Sequence, residues 1–251
     1  MLVTQRKNHL MAVLQREGQL VAKPLSEALG VSEDTIRRDL REMARDGLLQ
    51  RVHGGALPAS PATADFAARQ QIAVDSKQAV GRAAALLVQP GQVVFVDGGT
   101  TAIQLARHLP PTLTATVVTH SPSIAVELAS HPNVEVIILG GRLFKHSVVA
   151  MGAGTLEAIM QIRADIYFMG VCSLHPQAGL STGDFEEAGI KRALCRAAAE
   201  TIVLASAEKL ATASPYQVVG LNEIAGIVVD RQTAAVLLQP YVDAGIAVHR
   251  A

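Results

Sequence analysis

Apolar positions in the first fifty residues recur at helical spacing. Over residues 5–17, Leu10, Val13 and Leu14 share one face, and Gly18 stops the helix. Leu20-Val21-Ala22 reads as a short extended link. Residues 24–29 read as a short helix with Pro24 in its first turn, and Gly30-Val31 as a tight turn. Ser32 is placed to N-cap a third helix running to about Asp46, which Gly47 ends. Residues 48–56 alternate as a small hairpin around Gly54-Gly55.

The pattern then changes. Residues 57–64 are small, polar or Pro-containing and read as a linker, the best domain boundary in the chain. Beyond it, short apolar runs of up to six residues alternate with helical stretches. The runs Val93–Val96, Thr116–Thr119, Val134–Leu139, Ile166–Gly170, Thr201–Ala205 and Ile227–Val229 predict strands. Helices are predicted at about 77–88, 100–109, 121–130, 154–162, 187–199 and 232–242. Such alternation predicts an α/β fold with a mostly parallel sheet covered on both faces.

The helix from Ser32 carries two kinds of face. Ile36, Leu40 and Met43 form an apolar stripe, while Arg37, Arg38, Arg41 and Arg45 lie opposite. A helix packed on one side and armed with guanidinium groups on the other suits a DNA major groove, where Arg pairs with guanine and with phosphates. Ser32 and Thr35 at its N-terminus would point at base edges or a phosphate. The competing reading is an ordinary surface helix whose acids pair with those arginines, for instance Arg38 with Glu42. The short helix before it and the Arg51-Val52-His53-Gly54-Gly55 hairpin after it favour the DNA reading.

Downstream, strand Val93–Val96 runs into Asp97-Gly98-Gly99-Thr100-Thr101, where a helix begins. Glycines let backbone N–H groups close around an anion, and threonine hydroxyls and a helix N-terminus add donors and a favourable dipole. The alternative is a plain strand–turn–helix corner with a Thr cap. Neither a P-loop nor a dinucleotide fingerprint is present. Other strand ends bring Thr119-His120-Ser121, Gly140-Gly141, Gly152, Gly179–Thr182, Lys191 and Lys209 toward the same rim, where open α/β sheets bind ligands.

Composition narrows the classes. Of 251 residues, 49% are hydrophobic and only 3% aromatic with no Trp, so a large core of Ala, Val, Leu and Ile is expected and disorder is not. The formal net charge is zero. Residues 1–57 hold nine Lys/Arg against seven Asp/Glu, so DNA contact must come from placement of charge rather than its amount. Cys172 and Cys195 stand in no metal or redox spacing, and two free thiols fit a reducing, cytoplasmic setting. The histidines form no ligand pair, and neither metal nor cofactor is expected. The N-terminus is polar, no apolar run approaches membrane length, and no membrane association is expected.

These residues carry a family resemblance. Arg6, Leu10 and Leu14, then Ser32, Thr35, Ile36, Arg37, Arg38, Asp39 and Leu40, match the N-terminal signature of DeoR-type bacterial transcriptional regulators, and Arg51–Ala56 resembles that family's wing. The resemblance implies recognition-helix contacts at Ser32, Thr35, Arg37 and Arg38, joined by Arg41 from the basic face, and wing contacts at Arg51 and His53. The C-terminal part resembles the family's sensor domain, similar in fold to ribose-5-phosphate isomerase. It matches at Asp97–Thr101, Gly140-Gly141, Gly179–Thr182, Glu187-Ala188 with Lys191-Arg192, and Lys209. This implies that Asp97, Gly99, Thr100, Thr101 and Lys209 contact a small phosphorylated sugar or related metabolite. Gly98, Thr119, Gly141, Ser181 and Lys191 complete the expected effector shell. Two departures stand out: His120 where the family has Asn, and Ser206-Ala207-Glu208-Lys209 where an Asp-Ser-Ser-Lys run is typical.

The expected organisation is a winged helix-turn-helix domain at 1–57, a linker extending over 58–74, and an effector-sensing α/β domain at 75–251. The expected function is a sequence-specific repressor of carbohydrate-metabolism genes. It would act as a homo-oligomer, a dimer or tetramer, and be released from a double-stranded operator by its effector. The alternative is a sugar-phosphate isomerase with an appended DNA-binding domain, which would need a carboxylate base such as Asp97, Asp184, Glu186 or Glu187.

Overall fold

The computed structural model describes residues 2–60 and 65–251. Three helices open the chain: α1 (Val3–Glu17), α2 (Ala22–Leu29) and α3 (Glu33–Arg45). Gly18 and Gly30 end the first two in the left-handed conformation, and the Ser32 side chain accepts from Thr35 N to cap the third. Strands β1 (Leu20–Val21), β2 (Leu49–Val52) and β3 (Gly55–Pro58) make a small antiparallel sheet in the order β1-β3-β2. The expected extended link at Leu20 is therefore a true strand. It lies so close to β3 that a Cβ on Gly55 would stand 1.7 Å from the Leu20 carbonyl oxygen, so only glycine fits there. Leu10, Val13, Leu14, Leu20, Ile36, Leu40, Met43 and Leu49 form one apolar core under this sheet. The predicted stripes of α1 and α3 face each other across it.

The chain between the two parts is more structured than a free linker. Leu57 and Pro58 extend β3. Ala59 bridges to Ala213, Ala213 N donates to Pro58 O, and Ser60 Oγ donates to Cys172 O at 2.6 Å. Residues 61–64 of the expected linker lie outside the described residues. A short helix α4 (Phe66–Gln70), capped by Asp65, then leads into α5 (Val74–Ala85).

The remaining elements are β4 (Val93–Val96), α6 (Thr100–Arg107), β5 (Ala115–Thr119), α7 (Pro122–Leu128), β6 (Val134–Ile138), β7 (Arg142–Phe144), β8 (Val149–Met151), α8 (Ala153–Met160) and β9 (Ala164–Gly170). They continue with β10 (Ser173–His175), β11 (Gly179–Thr182), α9 (Phe185–Ala197), β12 (Ala198–Leu204), β13 (Tyr216–Gln217), β14 (Gly226–Val229), α10 (Ala235–Asp243) and β15 (Ala247–Arg250). Seven strands pair in the order β15-β14-β12-β9-β4-β5-β6, every pair parallel.

Both faces of this sheet are buried, and alternate strand residues divide between two cores. Val94, Val96, Ile166, Phe168, Ile202, Leu204 and Val228 pack under Val80 and Ala84 of α5, Leu105 and Ala106 of α6 and Leu128 of α7. Phe95, Tyr167, Met169, Val203, Ile227 and Val229 pack under Ile159 of α8, Leu194 of α9 and Tyr241 of α10. Two-sided burial is why these strands read as unbroken apolar runs rather than as alternating ones. Two small antiparallel additions flank the sheet: β7 with β8, and β10-β11-β13.

The order of the central sheet reverses between β4 and β9. From β4 the chain builds outward through β5 and β6. It then returns to β9 on the other side and builds outward through β12, β14 and β15. The carboxyl ends of β4 and β9 therefore diverge into a crevice, the usual ligand position in an open α/β sheet.

Candidate functional site

Two sites emerge, one on each part. On the N-terminal part, Ser32, Arg37, Arg38, Arg41, Arg51 and His53 are exposed and Thr35 is half-buried. Asp34, Thr35, Arg38 and Arg41 surround a shallow depression on the open face of α3. The anticipated pairing of Arg38 with Glu42 does not form. Glu42 pairs instead with Lys7 at 2.7 Å. Asp39 is buried and held by Arg6, whose Nε and Nη2 both donate to its carboxylate. Arg37 is engaged, with Glu33 at 2.7 Å and Asp34 at 4.0 Å. Arg38, Arg41, Arg45 and Arg51 enter no ion pair among the described residues. The acids that balance the arginines on paper are thus largely spent elsewhere, and the basic face is left open.

The second site lies in the crevice at the strand-order reversal. Gly98, Gly99, Thr100 and Thr101 wall it after β4, Gly170 and Cys172 after β9, and Glu208 and Lys209 after β12. Gly99 has φ +116, a conformation that favours glycine, and it starts α6 so that the first helical hydrogen bond runs from Ile103 N to Gly99 O. The amides before Ile103 are left facing the crevice without intrahelical acceptors. Among the described residues, the buried Thr101 Oγ1 and Arg69 Nε have no hydrogen-bond partner, and both residues line the cavity. Lys209 Nζ makes no ion pair among the described residues, and burial pushes its pKa down. Unsatisfied buried donors cost free energy that a bound acceptor would recover. The crevice thus gathers these donors and the Lys209 ammonium beside the carboxylates of Glu187 and Glu208.

The floor is a fully occupied carboxylate. Asp97 is 1% exposed. Its Oδ1 accepts from Gly98 N at 2.8 Å and His120 Nε2 at 3.0 Å. Its Oδ2 accepts from Tyr167 Oη and Gly170 N, both at 2.9 Å, and from Lys191 Nζ at 2.5 Å. Burial alone would raise the Asp97 pKa, but the Lys191 charge and the His120 hydrogen bond hold it well below the usual carboxylate range. Asp97 in turn holds the Lys191 pKa above its ordinary value against desolvation. Asp97 therefore lies beneath the cavity, locking β4 to β9, rather than among its lining residues.

The expected effector residues thus divide. Gly98, Gly99, Thr100, Thr101, Lys191 and Lys209 converge on one cavity. Thr119 does not line it, because its hydroxyl bridges Val96 O and Ser121 N. Gly141 sits at the base of β7, where a Cβ would meet Thr155 Oγ1 at 2.1 Å. Ser181 Oγ accepts from Ser214 N in the small β10-β11-β13 sheet. His120 is buried between Asp97 and Ala150 O, facing the floor rather than the cavity. Glu208 lines the cavity, one carboxylate oxygen receiving Ser206 Oγ at 2.6 Å.

Two cations escaped the sequence reading. Arg69 of α4 and Lys77 of α5 both line the cavity. A signal for Lys77 was present: Lys77, Val80, Gly81 and Ala84 fall at i, i+3, i+4 and i+7, so a lysine occupies the apolar stripe of α5. Nothing in its neighbourhood marked Arg69.

Comparison with known proteins decides the class. A family model described as "DeoR C terminal sensor domain" matches residues 72–231, and one described as "DeoR-like helix-turn-helix domain" matches residues 6–62. The chain belongs to the DeoR family. It is a transcriptional regulator in which a helix-turn-helix domain precedes a sensor domain. Among its relatives in this family, the HTH-type transcriptional regulator GlpR of Haloferax volcanii is 33% identical, covering 99% of this chain and 98% of its own. The Glycerol-3-phosphate regulon repressor of Escherichia coli K12 is 31% identical over 76% of each chain. Among solved structures, ribose 5-phosphate isomerase A of Methanocaldococcus jannaschii aligns with 54% of each chain at 20% identity and a TM-score of 0.39. Among the described residues of this DeoR-family chain, no helix is long and apolar enough to cross a membrane.

Proposed function

We propose that this regulator is a repressor of sugar or polyol metabolism genes, released from its operator when a small phosphorylated metabolite enters the crevice beneath α6. The observation that carries the reading is the pair of buried donors Thr101 Oγ1 and Arg69 Nε, unpartnered among the described residues, on residues lining one cavity at the start of a helix. The α6 amides, Thr100, Thr101 and Lys209 supply the phosphate end of the site, since a helix N-terminus and an ammonium together favour an anion. Glu208 supplies an acceptor for the hydroxyls of a sugar or polyol. In this reading residues 1–57 form the output domain, 58–74 the connection and 75–251 the sensor. The regulator acts in the cytoplasm as a dimer or tetramer, whose paired α3 helices would meet successive half-sites.

The four carboxylates named for the isomerase alternative are all engaged. Asp97 already accepts from five donors. Asp184 caps α9, Glu186 pairs with Arg142, and Glu187 receives the Thr182 hydroxyl. Each of these four carboxylates is committed to holding the structure.

The test combines two titrations. Operator DNA is first selected from random duplexes by the full chain, and binding is then challenged with a panel of phosphorylated sugars and polyols. One member should release the DNA from the wild type but not from Lys209→Ala or Thr101→Val, with DNA affinity itself unchanged in both variants. Turnover of any panel member at enzyme-like rates, or an undiminished response in both variants, would overturn the proposal.

A further inference from the structure

We propose that Arg69 and Lys77 are ligands of the same anion, so that the effector itself fastens over the cavity the strap of chain that leads from the DNA-binding domain into the sensor. The inference rests on the anion-site reading above and adds to it a route to the DNA-binding domain.

The strap is α4 and the start of α5. Arg69 Nη2 donates to His146 O at 2.6 Å, but its buried Nε, on a cavity-lining residue, has no partner among the described residues. A guanidinium presents its donors in a fixed fork, so an oxyanion reaching Nε meets a preformed half-site. Lys77 is 4% exposed and donates to the Arg69 carbonyl, which leaves two of its ammonium protons for a ligand. No carboxylate forms an ion pair with either residue among the described residues. Burial, together with the neighbouring Lys209 charge, lowers the Lys77 pKa to about 8, as expected of a cation awaiting its counter-ion.

Three strained positions stand next to the segments of this clamp. Ala73, Val148 and Ala211 are the non-glycine residues with positive φ among those described, at +50, +54 and +56. Each follows a lining residue in sequence: Ala73 after Ile72, Val148 after Ser147, Ala211 two residues beyond Lys209. Strain of this kind gathers at clamps and switches, where surrounding contacts hold it in place.

The same segments touch the output domain. His146, which Arg69 holds, lines a second cavity against Leu49 and Gln50 of β2. Cys172 lines both cavities and accepts from Ser60, and Ala213, two residues past Ala211, bridges to Ala59. An anion that draws Arg69 toward α6 therefore acts directly on the contacts that seat β2 and β3.

The test uses the full chain and inorganic phosphate as the probe. Hydrogen exchange of peptides covering 65–77 should slow when phosphate is added to the wild type. Arg69→Gln and Lys77→Gln should each weaken phosphate binding on the order of tenfold, as loss of a charged hydrogen bond does. If phosphate stabilises the wild type, and Thr101→Val abolishes that effect, while exchange over 65–77 is unchanged, the strap inference fails and the anion site stands. If phosphate does not stabilise the wild type at all, the anion site fails with it. Should Arg69→Gln not fold, the wild-type exchange measurement alone decides.

Discussion

Arg6 of α1 and Asp39 of α3 form a buried pair in which Nε and Nη2 of the guanidinium both donate to one carboxylate. The pair pins α3 to α1, and it removes Asp39 from a surface where it would repel a phosphate. Breaking a buried pair from one side leaves an uncompensated charge, which costs about 3–5 kcal/mol. Asp39→Ala should therefore melt the N-terminal domain selectively. The chain has three tyrosines, Tyr167, Tyr216 and Tyr241, and no Trp. Tyrosine fluorescence thus reports only the sensor, and its transition should not move while far-ultraviolet circular dichroism shows an early loss of helix. A single unshifted transition by both probes would contradict this role for the pair.

The arginines of α3 should differ in effect. Arg38 and Arg41 are exposed beside Thr35 and enter no ion pair, whereas Arg37 must first leave Glu33. Arg38→Ala should cost about 1–3 kcal/mol of operator affinity if it reads a base, or lower the salt slope by about one if it holds a phosphate. Arg37→Ala should cost less. Fluorescence anisotropy across a salt series separates the cases, and a larger loss from Arg37→Ala than from Arg38→Ala would reverse this assignment.

What the sequence shows and conceals has a physical cause. Strands such as Val93–Val96 and Ile166–Gly170 are legible because burial on both faces writes an apolar run into the chain. Strand β15 is not, because it is an edge strand carrying His249 and Arg250. Helix α4 has no buried residue and so leaves no periodic trace. In the cavity, Gly98–Thr101 are legible because one local segment supplies the turn, the hydroxyls and the helix start. Arg69 is not, because its place on the cavity depends on α4 packing beside α6, an element formed later in the chain. Thr119, Gly141 and Ser181 lie at strand ends as anticipated. Their side chains or their lack of one serve the packing of the rim, a distinction that only tertiary contacts can make.

Asp97 should behave as a structural centre rather than a ligand. Asp97→Asn keeps the shape but removes the charge that neutralises Lys191, with only Glu187 at 3.9 Å remaining. A loss of about 3 kcal/mol or more is expected in urea unfolding followed by tyrosine fluorescence. Operator binding by the folded fraction should persist. If Asp97→Asn were as stable as the wild type yet blind to effector, Asp97 would instead contact the ligand.

Lys77 makes the pH dependence of sensing predictable. Burial, first of all, and the Lys209 charge hold its pKa at about 8, below its unfolded value of 10.5. In the free protein the charged form is the disfavoured one, so between about pH 8 and 10.5 the unfolded chain binds more protons than the folded chain. Stability contributed by this group therefore rises with pH across that window and is flat below it. A bound anion reverses the preference by raising the Lys77 pKa. Phosphate binding at pH 8 should then be accompanied by proton uptake, and its affinity should fall as the pH climbs above 8. Calorimetric titrations in buffers of different ionisation enthalpy measure the uptake directly. Lys77→Gln should lower both the uptake and the fall in affinity, and proton release on binding by the wild type would exclude a charged Lys77 from the site.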